Sequence, residues 1–377
     1  MIKVGVLTSS RADYGIYKPL LEALQKDDDF QLSIIAFGTH LSHFHGYTIR
    51  EITGDGFEVE YTINSLLLHD DANSIATASA LTSLKFADFW KEHGSEFNIV
   101  FCLGDRYEMF GAVNAGIPFN IRFAHIHGGE TTLGAIDNVY RHCLTLASSF
   151  HFVSTDHYAK RVEQILGTAE NILVTGSLSL QNLDNIRLLS VEEFYEKWEI
   201  DLSVPSILVT VHPETVDISS NEANLKEVVK AIEALIGQSY QIIITMPNSD
   251  TMGSVFRNGF SRLKASFPQQ VHLVENFGTR SYFSCMKHVD FLLGNTSSGI
   301  IEAASLHKYL VNLGNRQQGR FAGENVIHCP FDAQKIVEEA SRIARLGNYE
   351  GQNPYYKAGA VVSIVDFLKN RLLQGKL

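Results

Sequence analysis

Short, unbroken apolar runs recur along the chain, separated by longer stretches of mixed polarity. Residues 2–8, 32–37, 57–62, 98–103, 119–126, 150–153 and 171–176 are such runs in the first half. Runs of this length, bounded by turn residues, read as strands, most of them buried on both faces. Helix-length stretches lie between them, notably one that follows the turn at residues 9–15 and runs through Leu24, and one from Asn73 to His93. The second half repeats the pattern at residues 206–211, 241–245, 271–274, 289–293 and 309–313. Residues 180–201 read as linker helices, and residues 358–373 as a final helix. Strands alternating with helices predict a parallel sheet covered on both faces. The expected fold class is α/β, with two doubly wound Rossmann-like domains facing each other across a cleft. The first domain is expected over residues 1–178 and the second over 179–357, with residues 358–377 a C-terminal helix packing back on the first.

Length supports the division, because 377 residues exceed one ordinary core. The net charge of −11 argues against a general nucleic-acid or anionic-membrane binder, but leaves room for a local basic pocket. Cys102, Cys143, Cys285 and Cys329 are scattered, with no CxxC pair, and read as reduced thiols of a cytoplasmic protein. The first residues run straight into a strand without a signal peptide, and no apolar run reaches membrane-spanning length.

The candidate chemistry gathers where strands end. The stretch Leu293-Gly294-Asn295-Thr296-Ser297-Ser298-Gly299-Ile300-Ile301-Glu302 joins a strand to a helix start through a polar, glycine-bounded turn. Free N–H groups at such a turn suit an anion, with Ser297 and Ser298 as added donors and Glu302 placed to accept from a ribose hydroxyl. The plainer reading is an N-capped helix, with Ser297 or Ser298 as the cap. Gly104-Asp105-Arg106 and His127-Gly128-Gly129-Glu130 follow two strands of the first half, and Asp137, Arg141 and His142 follow on a helix. Arg11 and Asp13 follow the first strand; His212, Asn248, Phe277 and Arg316 follow strands of the second half. Ligands of open α/β sheets bind at such carboxyl ends. Basic groups with an anion turn suit a nucleotide diphosphate, and several carboxylates suit proton transfer at carbon. Each carboxylate taken alone also fits a cap or an ion pair; Asp137 could simply cap its helix. His40, His43 and His45 share one loop with no acidic or cysteine ligand beside them, which favours a polar loop over a metal site. No GxGxxG, GxSxG or GxxxxGK[ST] pattern is present, which disfavours a nicotinamide dehydrogenase.

Taken in order, these motifs resemble the hydrolysing UDP-N-acetylglucosamine 2-epimerases of sialic-acid and related nonulosonic-acid pathways. The resemblance covers nearly the whole chain. It rests on Ser10-Arg11-Ala12-Asp13-Tyr14-Gly15, Leu103-Gly104-Asp105-Arg106-Tyr107-Glu108, His125-Ile126-His127-Gly128-Gly129-Glu130, Asp137 with Arg141-His142, Val211-His212-Pro213-Glu214-Thr215, Gly294-Asn295-Thr296-Ser297-Ser298-Gly299 and Gly314-Asn315-Arg316-Gln317-Gln318-Gly319-Arg320. It implies a glycosyltransferase-B-like fold, no cofactor, no metal, and a homodimer or homotetramer. It also implies a reaction in which the C2 proton is removed as UDP leaves C1, and water then adds to the glycal to release the free 2-epimer.

By the same resemblance Arg11, His212, Ser297, Ser298 and Arg316 would hold the diphosphate, Glu302 the ribose and the segment around Phe277 the uracil. Asp13, Arg106, His142 and Asn248 would complete the substrate set. Asp105, Glu130 and Asp137 would be the acid/base candidates, with His212 a proton donor to the leaving phosphate. Some relatives carry Glu where this chain has His127, so either Glu130 or His127 takes that role. His212-Pro213-Glu214-Thr215 replaces the His-Arg-Glu-Asn of non-hydrolysing epimerases, which favours the hydrolysing branch. The stretch from Glu130 to Asn138 looks closer to legionaminic-acid enzymes, so UDP-N-acetylglucosamine and UDP-N,N'-diacetylbacillosamine both stand as expected substrates. A retaining UDP-sugar glycosyltransferase, a non-hydrolysing 2-epimerase and a non-catalytic UDP-sugar sensor are the rival readings.

Overall fold

The structure is a computed structural model that describes residues 1–69, 71–247 and 253–372. The chain divides into two compact units. Unit 1 comprises Met1–Glu130, Asp137–Asp184 and the chain from Tyr355 onward; unit 2 comprises Thr131–Ile136 and Asn185–Pro354. The division between the units thus falls a few residues beyond the boundary expected at 178. The short segment Thr131–Ile136 belongs to unit 2, a placement no sequence pattern marks.

Unit 1 contains β1 (Ile2–Thr8), α1 (Arg11–Lys26), β2 (Phe30–Phe37), α2 (Ile49–Gly54), β3 (Val59–Ile63), α3 (Ala72–His93), β4 (Ile99–Leu103) and α4 (Tyr107–Gly116). It continues with β5 (Phe123–Ile126), α5 (Asp137–Ala147), β6 (Ser148–Val153), α6 (Asp156–Leu166), β7 (Ile172–Val174) and α7 (Leu178–Asn185). Its parallel sheet has the order β3-β2-β1-β4-β5-β6-β7. Unit 2 contains α8 (Val191–Trp198), β8 (Ser206–Thr210), α9 (Asn221–Gly237), β9 (Gln241–Thr245), α10 (Gly253–Ser266), β10 (Val271–Val274), α11 (Gly278–His288), β11 (Phe291–Gly294), α12 (Ser297–Ile301), β12 (Leu310–Leu313), β13 (Val326–Cys329) and α13 (Ala333–Leu346). Its parallel sheet has the order β10-β9-β8-β11-β12-β13. The last helix, α14 (Ala360–Leu372), returns to unit 1.

The continuous apolar runs follow from burial on both faces. Successive strand residues point to opposite sides. Val4, Val6, Ile34, Phe101, Phe150 and Phe152 face one layer, where α1 and α14 pack. Leu7, Ile35, Val100 and Cys102 face the other, against Phe86 and Trp90 of α3 and Met109 of α4. Phe367 of α14 lies edge-on to Phe150 and Phe152 at 5.8 and 5.6 Å, and Lys369 bridges Asp27 and Asp29 at 2.7 Å each.

Two expectations shift. The run 119–126 begins its strand only at Phe123, because Pro118 sits within the short 3-10 turn Ile117–Phe119 and Asn120 adopts a left-handed conformation at φ 54°. The strand Val326–Cys329 carries too little buried apolar character for sequence to reveal it.

Three histidines are fully buried in unit 1. His40 sits between Thr8 Oγ1 and Thr48 Oγ1, each at 2.9 Å, and His125 between Gly104 O at 2.9 Å and Thr145 Oγ1 at 3.2 Å. Burial pushes His40 and His151 down to about 4, and His125 down to about 3. Unfolded histidines take up protons near pH 6.5. Between about pH 6.5 and 4 the unfolded chain therefore binds more protons, and stability falls as pH falls. One such histidine is worth on the order of 3 kcal/mol across that window. We expect melting temperature to drop steeply between pH 6.5 and 4.5, and His40→Gln to flatten the profile. A wild-type profile that stays level there would remove this explanation.

Candidate active site

Both sheets reverse strand order at one place, between β1 and β4 in unit 1 and between β8 and β11 in unit 2. Ligands of open α/β sheets bind outside the strand ends at such a switch point. The turns after β1, β4, β8 and β11 are the motifs that sequence singled out.

In unit 1 two of the acid/base candidates, Asp105 and Glu130, meet at Arg141 of α5, which is 3% exposed. Its Nη2 donates to Asp105, which follows β4, and its Nη1 donates to the carbonyl of His127 at 2.9 Å. Glu130 Oε2 lies 3.8 Å from the same Nη1. Glu130 is itself buried, and its Oε1 contacts His127 Nδ1 at 2.6 Å and accepts from Ser154 Oγ at 3.0 Å. His127 Nε2 lies 3.4 Å from Ser177 Oγ. Two carboxylates thus share one guanidinium, and one of them is coupled to an imidazole. His127 and Glu130, the two alternatives for one acid/base role, form a single hydrogen-bonded pair. His127 adopts a left-handed backbone at φ 63°, a strained state that sharply turns the loop and aims its ring back at Glu130.

Asp137 is the first residue of α5 and is half-buried. His142 lies on the same helix, with its Nδ1 buried and without a hydrogen-bond partner. Burial lowers its imidazole, and the charges of Arg161 and Arg141 add to that.

Three unit 1 residues expected to touch substrate are engaged otherwise. Asp13 closes a capping box: its Oδ2 accepts from Ser9 N at 2.9 Å, Ser9 Oγ at 2.7 Å and Ser10 N at 3.1 Å. It is a buried helix cap; burial raises its carboxyl pKa, against the pull of Arg106. Arg106 makes a two-pronged contact with buried Glu108, at 2.9 and 3.2 Å. Arg11 pairs with Glu51 at 2.8 Å. The Arg11–Glu51 pair is tertiary, and no local spacing announces it.

In unit 2 the turn after β11 holds Ser297 and Ser298, both half-buried. Gly294 is required at its head: at φ 149°, a Cβ there would overlap the Thr210 carbonyl of β8. The cap of α12 is Thr296, whose hydroxyl accepts from Ser298 N at 3.3 Å, so neither serine is the cap. With only five residues, α12 offers local N–H groups more than a summed helix dipole. Glu302 is buried at its end.

Asn295, unremarked in sequence, joins the turns. It exchanges two hydrogen bonds with the main chain of His212, at 2.8 and 2.9 Å. Its carbonyl accepts from Gln317 Nε2 at 2.9 Å and from Arg316 Nη1 at 3.4 Å. His212, Arg316 and the serine turn are thus brought together. The Tyr282 hydroxyl faces Ser298 and Thr210, and burial pushes its pKa up to about 12. Phe277 is 4% exposed, packed on Phe194 at 5.5 Å and Trp198 at 4.7 Å. The ring is thus packed inside unit 2, beside the main chain of the segment expected to meet the uracil. Asn248 lies outside the described residues.

Among the described residues no cluster of His, Cys, Asp or Glu could hold a metal ion. His40, His43 and His45 have separate partners: His40 is buried between two threonines, His43 stacks on Tyr47 at 4.4 Å and His45 meets Ser42 at 2.9 Å. Among the described residues no helix is long and apolar enough to cross a membrane.

Comparison with known proteins converges on one family. The family model described as UDP-N-acetylglucosamine 2-epimerase matches residues 22–369. The GDP/UDP-N,N'-diacetylbacillosamine 2-epimerase (hydrolyzing) of Campylobacter jejuni is 31% identical over 86% of this chain and 83% of its own. The UDP-N,N'-diacetylbacillosamine 2-epimerase (hydrolyzing) of Legionella pneumophila is 32% identical over 86% and 84%. The polysialic acid biosynthesis protein P7 of Escherichia coli is 30% identical over 98% and 95%. Among solved structures, the Neisseria meningitidis UDP-GlcNAc 2-epimerase bound to UDP-GlcNAc has a TM-score of 0.81 at 18% identity, covering 97% of this chain and 99% of its own. That likeness is one of fold: two doubly wound Rossmann-like domains of the glycosyltransferase-B-like kind. The chain belongs to the UDP-N-acetylglucosamine 2-epimerase family. Within it, the chain is an enzyme of the hydrolysing nucleotide-sugar 2-epimerase type.

Proposed function

We propose that this enzyme converts a UDP-linked 2-acetamido sugar into UDP and the free 2-epimer, and that UDP-N,N'-diacetylbacillosamine is its substrate. The product is then 2,4-diacetamido-2,4,6-trideoxymannose, a precursor for nonulosonic-acid synthesis. The observation that carries the reaction is the pair of carboxylates, Asp105 and Glu130, held on one buried arginine. Proton work at carbon needs positioned acids and bases. One carboxylate removes the C2 proton as the C1–O bond to UDP breaks, leaving a C1–C2 double bond. Water then adds at C1 while an acid returns a proton to C2 from the opposite face. Asp105, Glu130 with His127, and Asp137 supply these groups. The Ser297–Ser298 turn and Arg316 hold the departing diphosphate, His212 gives it a proton, and Glu302 accepts from the ribose.

The choice of sugar is supported by the two relatives named for the diacetamido nucleotide. UDP-N-acetylglucosamine is the second reading, favoured by the polysialic-acid relative that spans nearly the whole chain. Proton NMR in deuterated water with each nucleotide tests both points. We expect UDP and free sugar carrying deuterium at C2, from the diacetamido nucleotide only. Sugar transfer without exchange at C2 would mark a transferase, UDP-linked epimer would mark the non-hydrolysing branch, and turnover of UDP-N-acetylglucosamine alone would select the second substrate.

A further inference from the structure

We propose that Asn295 and Glu214 are positioning residues for the leaving diphosphate: they hold the His212 loop, the serine turn and the Arg316 turn of unit 2 in one arrangement. This rests on the nucleotide-sugar reading above, and adds residues that touch neither the nucleotide nor the reacting atoms.

The paired strands β8 and β11 end at Thr210 opposite Gly294. Beyond that point the sheet no longer dictates the path of either chain, yet the functional side chains begin there. Asn295 is completely buried, and its amide takes over where the ladder stops. Its Oδ1 accepts from His212 N and its Nδ2 donates to His212 O, so the His212 main chain is clamped on both its donor and its acceptor. Its own N–H returns to Thr210 O at 3.1 Å. With Gln317 and Arg316 on its carbonyl, one residue joins three loops.

Glu214 completes the arrangement from the other side. It is 5% exposed, and its Oε1 accepts the N–H of Asn315 at 2.5 Å, immediately before Arg316. Its own main chain is pinned by Asn221, which donates to Glu214 O and accepts from Glu214 N at 2.9 Å each. Gly314, at φ 63°, lets the chain turn tightly against that carboxylate, where a Cβ would strike both Glu214 Oε1 and Phe331. A buried carboxylate is costly unless its acceptors are used. Here it is spent on one main-chain N–H beside the arginine. The geometry makes sense if the direction of Arg316 matters to better than about 1 Å, which is the tolerance of catalytic groups.

The test compares wild type with Asn295→Asp, Glu214→Ala and Glu214→Gln. UDP affinity is read by calorimetry, kcat and KM on the sugar nucleotide, and folding by circular dichroism. Asn295→Asp keeps the shape but sets an acceptor against the His212 carbonyl. Glu214→Gln keeps an acceptor oxygen for Asn315, and Glu214→Ala does not. We expect Asn295→Asp and Glu214→Ala to weaken UDP binding by about 10-fold or more and to lower kcat as well. We expect Glu214→Gln to recover UDP affinity to within about threefold of wild type, since the hydrogen bond returns without the charge. Failure of the wild type to bind UDP would overturn the nucleotide reading itself. With wild-type binding intact, unchanged UDP affinity in both damaging variants, or lowered thermal stability alone, would overturn the positioning role. If Asn295→Asp does not fold, the Glu214 pair decides: equal losses in alanine and glutamine overturn the proposal, and rescue by glutamine sustains it.

Discussion

Glu130→Gln should lower kcat by roughly 10²–10⁴-fold while UDP affinity stays within about threefold of wild type. The side chain keeps its shape, and its amide oxygen still accepts from Ser154 Oγ, as Glu130 Oε1 does at 3.0 Å. What disappears is the capacity to hold and release a proton beside His127, now 2.6 Å away. UDP does not enter that loss, because the groups proposed for the diphosphate belong to unit 2 and Glu130 to unit 1. Single-turnover NMR for the chemistry and calorimetry for UDP separate the two effects. The companion variant His127→Asn tests the pair. If imidazole and carboxylate act as a unit, the double variant should lose little more activity than Glu130→Gln alone. A Glu130→Gln enzyme with near-normal kcat would strike Glu130 from the acid/base set and leave Asp105 and Asp137 to carry the chemistry.

The sheets were legible because parallel strands covered on both faces must be apolar throughout. Residues such as Val4, Val6, Leu7, Val100 and Phe101 announce themselves whichever way they point. The sites were half legible for a topological reason. At the switch points of both sheets the polar turn following a strand is where ligands bind, so Asp105, His212 and Ser297 stand out from their position alone. Partnership was not legible. Arg11, Asp13 and Arg106 share the residue types and strand-end positions of binding groups; Glu51 pairs with Arg11 from far along the chain, while the partners of Asp13 and Arg106 lie only a few residues away. The packing of Phe277 on Phe194 and Trp198 was likewise not legible, because both partners lie far away in sequence. Asn295 escaped because, inside a Gly-Asn-Thr-Ser-Ser-Gly turn, a linking amide is indistinguishable from ordinary turn polarity. Its place in the arrangement depends on His212, far away in sequence, which follows the end of β8 just as Asn295 follows the end of β11.

Arg141 is where the largest loss of stability should fall. Arg141→Met conserves length and apolar bulk but leaves Asp105 and the His127 carbonyl without their donor and Glu130 without the nearby guanidinium charge. Breaking a buried ion pair from one side costs about 3–5 kcal/mol, since the remaining charge stays in a poorly solvated place. At roughly 2–4 °C per kcal/mol for a domain of this size, melting temperature should fall by on the order of 10 °C. Because the damage lies in unit 1, the melt should separate into two transitions, only the earlier one displaced. Arg141→Lys should rescue part of this, since it restores a charge but not the planar fork that reaches Asp105 and the His127 carbonyl together. Adding Glu130→Gln to Arg141→Met should destabilise less than the sum of the two single changes, because it removes one of the carboxylates that Arg141→Met strands. Scanning calorimetry on the wild type, the three single variants and the double variant reads each of these directly. Strict additivity would mean that Arg141 and Glu130 contribute independently, and that the 3.8 Å contact between them carries no energy.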